Sequence, residues 1–319
     1  MIRKLIGNTP MIKINYKYKG NMKSIYTKLE YYNLTGSIKD RVAYYMIVKA
    51  KEQGLLKDEM PIIEATSGNT GISLAALGAY CKHPVYIFMP TWVSSERLKL
   101  MKLYGANVKL FSKEDGGFKR CIEEAGNLAK EINGYYIDQF SNTNNILAHY
   151  ETTGEEIINE LFDIGGFVTG IGTGGTLMGI GKRIKDVYPD AKICALEPKT
   201  MSLIKTVTVG NHKIDGIGDE FIPELLDLDF IDDIVLIDDD DAINMARKLS
   251  KNFGLGTGIS SGANLIAAIL LNENIKGNMV TVFADDSKKY LSSDLSKEID
   301  KNESFISNQV ELINYEYMY

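Results

Sequence analysis

Short apolar runs alternate with longer segments of helical periodicity between residues 39 and 284 of this chain. Apolar strands that are separated by helices of this length predict parallel sheets covered by helices on both faces. The candidate strands are 61–65, 85–89, 107–111, 135–138, 167–171, 193–197 and 279–284. The candidate helices are 39–52, 69–80, 95–104, 118–132, 155–161, 176–187, 241–252 and 261–271. We therefore predict an α/β fold with open, mostly parallel sheets flanked by helices.

The size and charge of the chain restrict the classes of partner. A chain of 319 residues can bury two domains' worth of core. Its net charge of −6 argues against a nucleic-acid partner held by a basic face. No apolar run approaches the roughly 20 residues that span a bilayer, and the N-terminus lacks the apolar core of a signal peptide. We expect no nucleic-acid partner and no membrane segment.

Cys81, Cys121 and Cys194 are widely spaced and odd in number. This pattern fits neither a disulfide frame nor a zinc site, and it favours the reducing cytoplasm. We therefore expect buried, inert thiols in a cytoplasmic protein without a metal centre.

Two acidic runs and a polar tail lie in the second half of the chain. The run 238–241 predicts a helix N-terminus, where negative charge is favourable, and the run 232–233 predicts a solvated turn. A metal site is the alternative, but the acids lack the spaced pattern of ligands. The tail after Lys301 is polar with late aromatic residues, so we expect it to be loosely held.

The stretch 33–41 contains Lys39, the candidate catalytic lysine. Asn, Thr, Gly and Ser interrupt the apolar pattern, and helical spacing begins after them, so Lys39 is predicted in the first turn of a helix. The helix dipole there disfavours an ammonium and lowers the cost of a neutral amine. A neutral lysine amine forms a Schiff base with an aldehyde. The alternative is an ordinary solvated lysine.

The loop 66–71 follows a predicted strand and precedes a predicted helix. Its glycines allow close approach to the backbone, and its Ser, Asn and Thr side chains supply donors at a helix N-terminus. Such a loop suits a carboxylate or a phosphate. Helix capping explains the same residues equally well when the loop is considered alone.

The loop 170–176 is richer in glycine. Successive backbone N–H groups and two threonine hydroxyls at a helix start predict a phosphate cradle. Gly170, Gly172 and Gly175 also match the dinucleotide pattern G-x-G-x-x-G, but this match is weak and lies in the middle of the chain. Thr176 stands where a Walker loop needs lysine. A ligand with a single phosphate therefore fits better than a nucleotide.

A third glycine-rich turn, 256–264, leads into an apolar helix. A neutral hydroxyl here suits a ring nitrogen or another phosphate oxygen. Ser260 or Ser261 serving only as a helix cap is the alternative.

A lysine suited to a Schiff base, one phosphate cradle and a carboxylate loop together describe a pyridoxal phosphate enzyme. The chain resembles the cysteine synthase (O-acetylserine sulfhydrylase) family, which has the tryptophan-synthase-β-like fold of pyridoxal phosphate enzymes (fold type II). The resemblance covers nearly the whole chain. Its motifs are 6–10, 36–41, 66–71, 89–90, 95–97, 104–106, 138–140, 149–154, 172–176 and 258–262.

This resemblance implies a two-domain organisation and a reaction type. A small mobile domain, 38–142, would close on a large cofactor-binding domain built from 1–37 and 143–319, and members are usually homodimers. The common reaction eliminates the β-substituent of an amino acid such as L-cysteine or O-acetylserine. A nucleophile then adds to the resulting α-aminoacrylate.

The resemblance also implies roles for individual residues. Lys39 would bind the cofactor covalently and later remove the substrate's α-proton, and Asn69 would hydrogen-bond the ring hydroxyl. Ser260 would face the pyridine nitrogen. The implied phosphate ligands are Gly172, Thr173, Gly174, Gly175 and Thr176. The implied substrate-binding residues are Thr66, Ser67, Gly68, Thr70, Gln139 and Gly216.

The loop 216–221 departs from the family pattern. The usual Gly-Ile-Gly-Ala-Gly-Phe reads Gly-Ile-Gly-Asp-Glu-Phe here, so Asp219 and Glu220 replace two small residues beside the substrate. A carboxylate there would repel hydrosulfide and could deprotonate water. We therefore favour conversion of L-cysteine and water to L-serine and hydrogen sulfide, with lanthionine as a further product, and prefer Asp219 as the base. The alternative is an ordinary cysteine synthase with both acids in solvent.

Cystathionine β-synthases and threonine or serine dehydratases share the fold. The first activity lacks support because no haem-binding or regulatory extension is evident, and the dehydration of threonine or serine stays open. Some members bind the C-terminus of a serine acetyltransferase, a contact that acids at 219 and 220 would hinder. A non-catalytic binder is disfavoured by retention of Lys39, Asn69 and Gln139. The turn 284–287 replaces the usual Pro-containing turn near the cofactor ring.

Overall fold

The computed structural model describes residues 2–297 and 302–318, which form two β-sheets with helices packed against them. The strands are Met11–Tyr18 (β1), Asn21–Leu29 (β2), Ile62–Ala65 (β3), Val85–Pro90 (β4), Asn107–Phe111 (β5), Tyr135–Tyr136 (β6), Ile164–Gly170 (β7), Lys192–Pro198 (β8), Asp233–Ile237 (β9), Asn278–Phe283 (β10) and Glu311–Tyr317 (β11). The α-helices are Lys39–Glu52 (α1), Asn69–Cys81 (α2), Ser95–Leu103 (α3), Gly117–Glu131 (α4), Asn144–Ala148 (α5), Glu155–Glu160 (α6), Gly175–Val187 (α7), Asp239–Phe253 (α8), Ile259–Leu271 (α9) and Ile306–Gln309 (α10).

The two sheets differ in size and in strand direction. The smaller sheet has the order β5-β4-β3-β6, and all its strands are parallel. The larger sheet has the order β11-β1-β2-β10-β7-β8-β9, in which β1 pairs antiparallel with both of its neighbours and the other pairs are parallel. The predicted α/β class with mostly parallel sheets is confirmed.

Side chains of the strands alternate between two apolar layers, as strand geometry requires. In the smaller sheet, Ile62 belongs to the cluster that contains Met46 of α1, whereas Ile63 belongs to the cluster that contains Cys121 of α4. All four side chains are fully buried. Helices therefore cover both faces of this sheet, which explains why its strands read as continuous apolar runs.

The larger sheet is covered in the same way. Phe167 of β7 packs in the cluster of Ile180 from α7, and Val168 packs in the cluster of Ile266 from α9. The parallel strands consequently all point their carboxyl ends toward one edge, where the loops that lead into helices collect.

The ends of the chain differ from the sequence prediction. The strands β1 and β2 were not predicted, and the expectation of a loosely held tail is wrong for residues 306–317. The strand β11 pairs with β1, and the carboxylate of Asp241 accepts hydrogen bonds from the backbone N–H groups of Ile306 (2.8 Å) and Ser307 (2.9 Å). Hydrogen bonding to residues distant in sequence therefore orders the tail.

The acidic runs have separate structural roles. Asp238 caps α8, as predicted, because its carboxylate accepts hydrogen bonds from the N–H groups of Asp240 (3.0 Å) and Asp241 (3.3 Å). Asp233 begins β9 rather than lying in a turn.

The three cysteines are free, and Cys121 and Cys194 are buried while Cys81 is half-buried. Burial raises the pKa of the Cys121 and Cys194 thiols to about 12, so both stay protonated near neutral pH. Across the described ranges, no helix combines the length and apolar character that crossing a membrane requires.

Candidate active site

A cleft lies where the carboxyl ends of β3, β7 and β10 meet. This edge is the usual ligand-binding position of open α/β sheets. The cleft brings together residues from all three glycine-rich loops and from the helix that carries Lys39. The sequence-predicted residues that line it are Lys39, Thr66, Ser67, Gly68, Asn69, Thr70, Gln139, Gly172, Thr173, Gly174, Thr176, Gly216, Asp219 and Ser260.

Lys39 is the first residue of α1 and is half-buried in the cleft. The preceding loop is fixed on both sides. The Asp40 carboxylate accepts hydrogen bonds from the N–H (2.7 Å) and Oγ1 (2.6 Å) of Thr35, and the Ile38 N–H donates to the Ala284 carbonyl (2.8 Å). Burial lowers the pKa of Lys39 to about 8, against the opposing charges of Asp219 and Asp285. The direction agrees with the sequence argument, but burial rather than the helix dipole is the main cause.

A buried ion network supports the same helix two residues further on. Arg41 forms a bidentate pair with Glu30, at 2.7 and 2.9 Å, and a second with Glu156, at 2.6 and 2.7 Å. Lys28 adds contacts to Glu156 (3.0 Å) and Glu160 (2.7 Å). The network ties α1 to β2 and α6, and so fixes the helix start that presents Lys39.

The loop 66–71 forms a polar wall at the N-terminus of α2. Thr70 Oγ1 donates to Gln139 Oε1 (2.6 Å), and Gln139 Nε2 donates to the Ala65 carbonyl (3.0 Å). Behind them the carboxylate of Glu64 accepts from the N–H groups of Ala65 (2.6 Å) and Gln139 (3.1 Å). Burial raises the pKa of Glu64 to about 8, despite these two donors. The arrangement holds hydroxyl and amide groups where a carboxylate can be bound.

The second loop forms a tight cradle at the N-terminus of α7. Gly174 has a positive φ of +83°, which only glycine adopts at low cost. A Cβ at Gly172 would come within 2.5 Å of the Gly216 carbonyl oxygen, and one at Gly175 within 2.0 Å of Asn145 Oδ1. The glycines therefore let the loop pack closely against Gly216 and Asn145, and they place it at a helix start whose backbone N–H groups have no partner within the helix.

His149 is a residue of this site that the sequence argument did not assign. It begins the π-helical turn His149–Gly154 between α5 and α6, and it is fully buried. Its Nε2 lies 3.2 Å from Thr176 Oγ1, and its Nδ1 lies 3.0 Å from Thr153 Oγ1. Burial, with the charges of Lys39 and Arg41, lowers its pKa well below the ordinary value. A neutral His149 therefore orients the Thr176 hydroxyl.

Asp219 and Glu220 occupy different surroundings. Asp219 lines the cleft, where burial raises its pKa to about 6, although His212 and Lys39 act in the opposite direction. Glu220 is exposed and lies outside the cleft lining. The structure therefore brings only Asp219 of this pair to Lys39. Gly175 also lies outside the lining, as the buried first residue of α7.

Arg97 and Asp215 line the cleft as well, and neither was assigned a role from sequence. Arg97 NH1 lies 3.3 Å from Asp215 Oδ2, and the guanidinium carbon lies 4.7 Å from the centre of the Tyr290 ring. A Cβ at Gly68 would come within 2.7 Å of Arg97 Cδ, so the loop rests directly on this side chain. The family motif 95–97 includes Arg97, but the motif alone indicates no role for this side chain.

These surroundings fit pyridoxal phosphate. The cradle of residues 172–176 offers a helix N-terminus and two hydroxyls to a phosphate. Asn145 Nδ2 donates to Thr173 Oγ1 (2.9 Å), while the buried Asn145 Oδ1 has no hydrogen-bond partner in the described ranges. Lys39 offers an amine of lowered pKa to an aldehyde in the same cleft.

Comparison with known proteins agrees with this assignment. A family model described as pyridoxal-phosphate dependent enzyme matches residues 2–285. The chain is 40% identical over 299 residues to cysteine synthase of Staphylococcus aureus (strain Mu50), covering 92% of this chain and 96% of that protein.

Solved structures show the same similarity. A hydrogen sulfide-producing enzyme from Fusobacterium nucleatum is 49% identical, with a TM-score of 0.94, covering 98% of this chain and 97% of that one. Its aspartate-to-asparagine variant, in complex with an α-aminoacrylate intermediate, is 49% identical with a TM-score of 0.95, covering 98% and 96%. A second hydrogen sulfide-producing enzyme from that organism is 41% identical with a TM-score of 0.86, covering 91% and 99%.

Sequence, fold and relatives therefore agree on the cofactor and on the type of chemistry, which is cysteine-related β-replacement or β-elimination. The two-sheet architecture is that of the tryptophan-synthase-β-like fold. The chain belongs to the pyridoxal-phosphate dependent enzyme family, among its cysteine synthase-like members.

Proposed function

We propose that this enzyme converts L-cysteine and water to L-serine and hydrogen sulfide. The observation that carries the proposal is the carboxylate of Asp219, which lies in the same cleft as Lys39. With a pKa of about 6, Asp219 is mostly ionised at neutral pH and can accept a proton. The two neighbours that are hydrogen sulfide-producing enzymes support the release of sulfide, and the aspartate variant held at an intermediate supports a catalytic carboxylate.

The substrate carboxylate would lie against the loop 66–71. Thr70 and Gln139 are already fixed by their mutual hydrogen bond, and the N-terminus of α2 adds its partial positive charge. Binding there directs the rest of a small amino acid toward Lys39 and Asp219. Substrate orientation thus costs little rearrangement of the protein.

Lys39 would move the α-proton. Pyridoxal phosphate would be held by Asn69, Ser260 and the cradle 172–176, with the amine of Lys39 freed when the substrate amine replaces it, and it would supply an electron sink for the negative charge that develops on the α-carbon. A pKa of about 8 leaves an appreciable fraction of Lys39 as neutral amine near neutral pH. That amine takes the α-proton, and the thiol group leaves the β-carbon with the bonding electron pair as hydrosulfide.

Asp219 would then select water as the nucleophile. A carboxylate repels an incoming hydrosulfide anion at short range, and it activates water, which is a poor nucleophile without a base. As the water oxygen bonds to the β-carbon, its proton passes to Asp219. Lys39 returns its proton to the α-carbon, so L-cysteine and water become L-serine and hydrosulfide, with the remaining proton on Asp219, and atoms and charge balance.

The test gives the purified holoenzyme L-cysteine with no added thiol and quantifies sulfide, serine, pyruvate and lanthionine. We expect sulfide and serine in equal amounts. Asp219→Asn should lower serine formation about 100-fold, the usual worth of a positioned base. Glu224→Gln, which changes an exposed acid of the same segment, should stay within about twofold.

Three results would contradict the proposal. Sulfide matched by lanthionine would identify a second cysteine as the nucleophile. Little sulfide, with rapid formation of cysteine from O-acetylserine and sulfide in a parallel reaction, would identify an ordinary cysteine synthase. Loss of serine formation in Glu220→Gln but not in Asp219→Asn would move the base to the neighbouring acid.

A further inference from the structure

We propose that Asp285 and Lys289 are positioning residues that fix the side-chain amide of Asn69, and that they thereby set the electrostatic surroundings of the bound cofactor's ring. This inference rests on the proposed placement of the cofactor beside Asn69. Neither residue was assigned a role from sequence, and both follow β10 at the edge where the cleft lies.

Asn69 is held at both ends of its amide. Asn69 Nδ2 donates to Asp285 Oδ2 (2.7 Å), and Lys289 Nζ donates to Asn69 Oδ1 (2.9 Å). A carboxylate accepts only and an ammonium donates only, so the reversed amide would lose both hydrogen bonds. The orientation of Asn69 is therefore fixed by charge, and both bonds are of the stronger, charge-assisted kind.

The two charged residues are themselves buried and anchored. Asp285 is 1% exposed and Lys289 is 2% exposed. Tyr290 Oη donates to Asp285 Oδ2 (2.5 Å), and Lys289 Nζ donates to the Gly36 carbonyl (2.9 Å). Burying a carboxylate and an ammonium is costly unless hydrogen bonds compensate, so a packed apolar pair would serve stability better. The role of this buried pair is therefore to orient the Asn69 side chain rather than to add stability.

Asp285 also reaches the loop that carries Ser260. The Gly258 N–H donates to the Asp285 carbonyl (2.9 Å), and a Cβ at Gly258 would come within 2.0 Å of Asp285 Oδ1. That oxygen is buried and has no hydrogen-bond partner in the part of the chain that the structure describes. Such an orphaned carboxylate oxygen is unusual, and it lies between Asn69 and the start of α9, while Lys289 and Arg97 supply the nearby positive charges.

The Asn69 side-chain amide therefore presents an N–H donor of fixed direction to the cleft. Asn69 Nδ2 carries two hydrogens, and one of them is donated in the hydrogen bond to Asp285. The other hydrogen remains for a ligand, and Lys289 polarises the amide by binding its oxygen. A ring oxygen beside Asn69 therefore meets an N–H donor, with the negative charge of Asp285 behind it.

The test measures the cofactor rather than turnover. Holoenzyme variants Asp285→Asn and Lys289→Met are compared with the wild type by their visible absorption spectrum across pH, without substrate, and by titration of each apoprotein with pyridoxal phosphate. We expect both variants to bind the cofactor about tenfold more weakly, as loss of one charge-assisted hydrogen bond predicts. We also expect both to change the ratio of its long- to short-wavelength absorption bands.

Two further variants separate positioning from general damage. Lys289→Arg keeps the cation and should restore the wild-type band ratio. Asp58→Asn changes an exposed acid outside the cleft lining and should leave affinity and band ratio within about twofold. If Lys289→Met fails to fold, Tyr290→Phe, which removes one donor to Asp285, should still shift the band ratio in the direction seen with Asp285→Asn.

An unchanged band ratio in folded Asp285→Asn and Lys289→Met would overturn the inference, as would an equal change in Asp58→Asn. The result is independent of whether water is the nucleophile, because that proposal is judged by the serine and sulfide products.

Discussion

Replacing Arg41 by methionine tests the ion network beneath the start of α1. Methionine keeps much of the side-chain volume but removes the guanidinium that pairs with Glu30 and Glu156. The Arg41 side chain is 1% exposed and that of Glu30 is 0% exposed, so the variant leaves a carboxylate stranded away from water. Glu156 is 15% exposed and keeps Lys28 as a partner at 3.0 Å.

The expected loss follows from the unpaired charge. Removing one partner of a buried ion pair costs roughly 3–5 kcal/mol. Glu30 retains hydrogen bonds from Thr9 Oγ1 (2.7 Å) and Asn33 Nδ2 (2.9 Å), which places the expected loss near the lower end, at about 3 kcal/mol. For a chain of 319 residues, an unfolding entropy of about 0.7 kcal/mol/K converts this to a Tm lower by about 4–5 °C.

The assay is urea unfolding of the holoenzyme followed by circular dichroism, with Tm as a second measure. Arg120→Met is the matched control, because that arginine pairs with Glu124 at the surface and is 47% exposed; its loss should cost less than about 1 kcal/mol. Adding Glu30→Gln to Arg41→Met should recover at least about 1 kcal/mol by removing the stranded charge. Equal losses in Arg41→Met and Arg120→Met, or no recovery in the double variant, would refute the reasoning.

Three other predictions follow from the site and its supports. Although burial raises it, hydrogen bonds and charge from Arg41 lower the pKa of Glu156 to about 2 from 4.5, so its contribution to stability should be lost as pH falls from about 4.5 to 2; Glu156→Gln should flatten that part of a plot of urea midpoint against pH. Because burial raises the pKa of Asp219 to about 6, kcat/KM for serine formation should fall below about pH 6, and Asp219→Asn should remove that decline from its residual activity. Gly175→Ala should abolish cofactor binding in a titration, because its Cβ would lie 2.0 Å from an asparagine oxygen, whereas Gly126→Ala in α4 meets nothing within 4 Å and should bind normally and be up to about 1 kcal/mol more stable.

The sequence pattern predicted the bounds of those helices and strands that are determined by neighbouring residues. The helix Lys39–Glu52 and the strand Asn107–Phe111 have the predicted bounds, because polar loops interrupt the apolar spacing on each side. The strand Glu311–Tyr317 was missed because it buries only Leu312, so it has little apolar pattern of its own. Its backbone partners in β1 lie about 300 residues earlier, and no local signal reports such pairing.

The residues of the site likewise differ in whether a local sequence pattern could predict them. The loops 66–71, 170–176 and 256–264 meet in one cleft because each follows the carboxyl end of a strand or precedes a helix at that edge, which a sequence pattern can indicate. His149 and Arg97 act through buried tertiary contacts that have no characteristic spacing. The sequence argument preferred Asp219 to Glu220, and only Asp219 lines the cleft.

The pairing of β1 with β11 also determines when the two sheets can form during synthesis. The small sheet draws all its strands from residues 62–136, so its pairing partners are available once less than half the chain has been made. The large sheet joins β2 to β10 and β1 to β11, and these partners are among the last residues to leave the ribosome. Its N-terminal hairpin must therefore keep open edges while about 250 residues are added, and long-range closure of this kind is slow and exposes strand edges to other chains. Lysines on β1 and β2, such as Lys13, Lys17 and Lys23, disfavour pairing of the open hairpin edges with other chains before β10 and β11 are made.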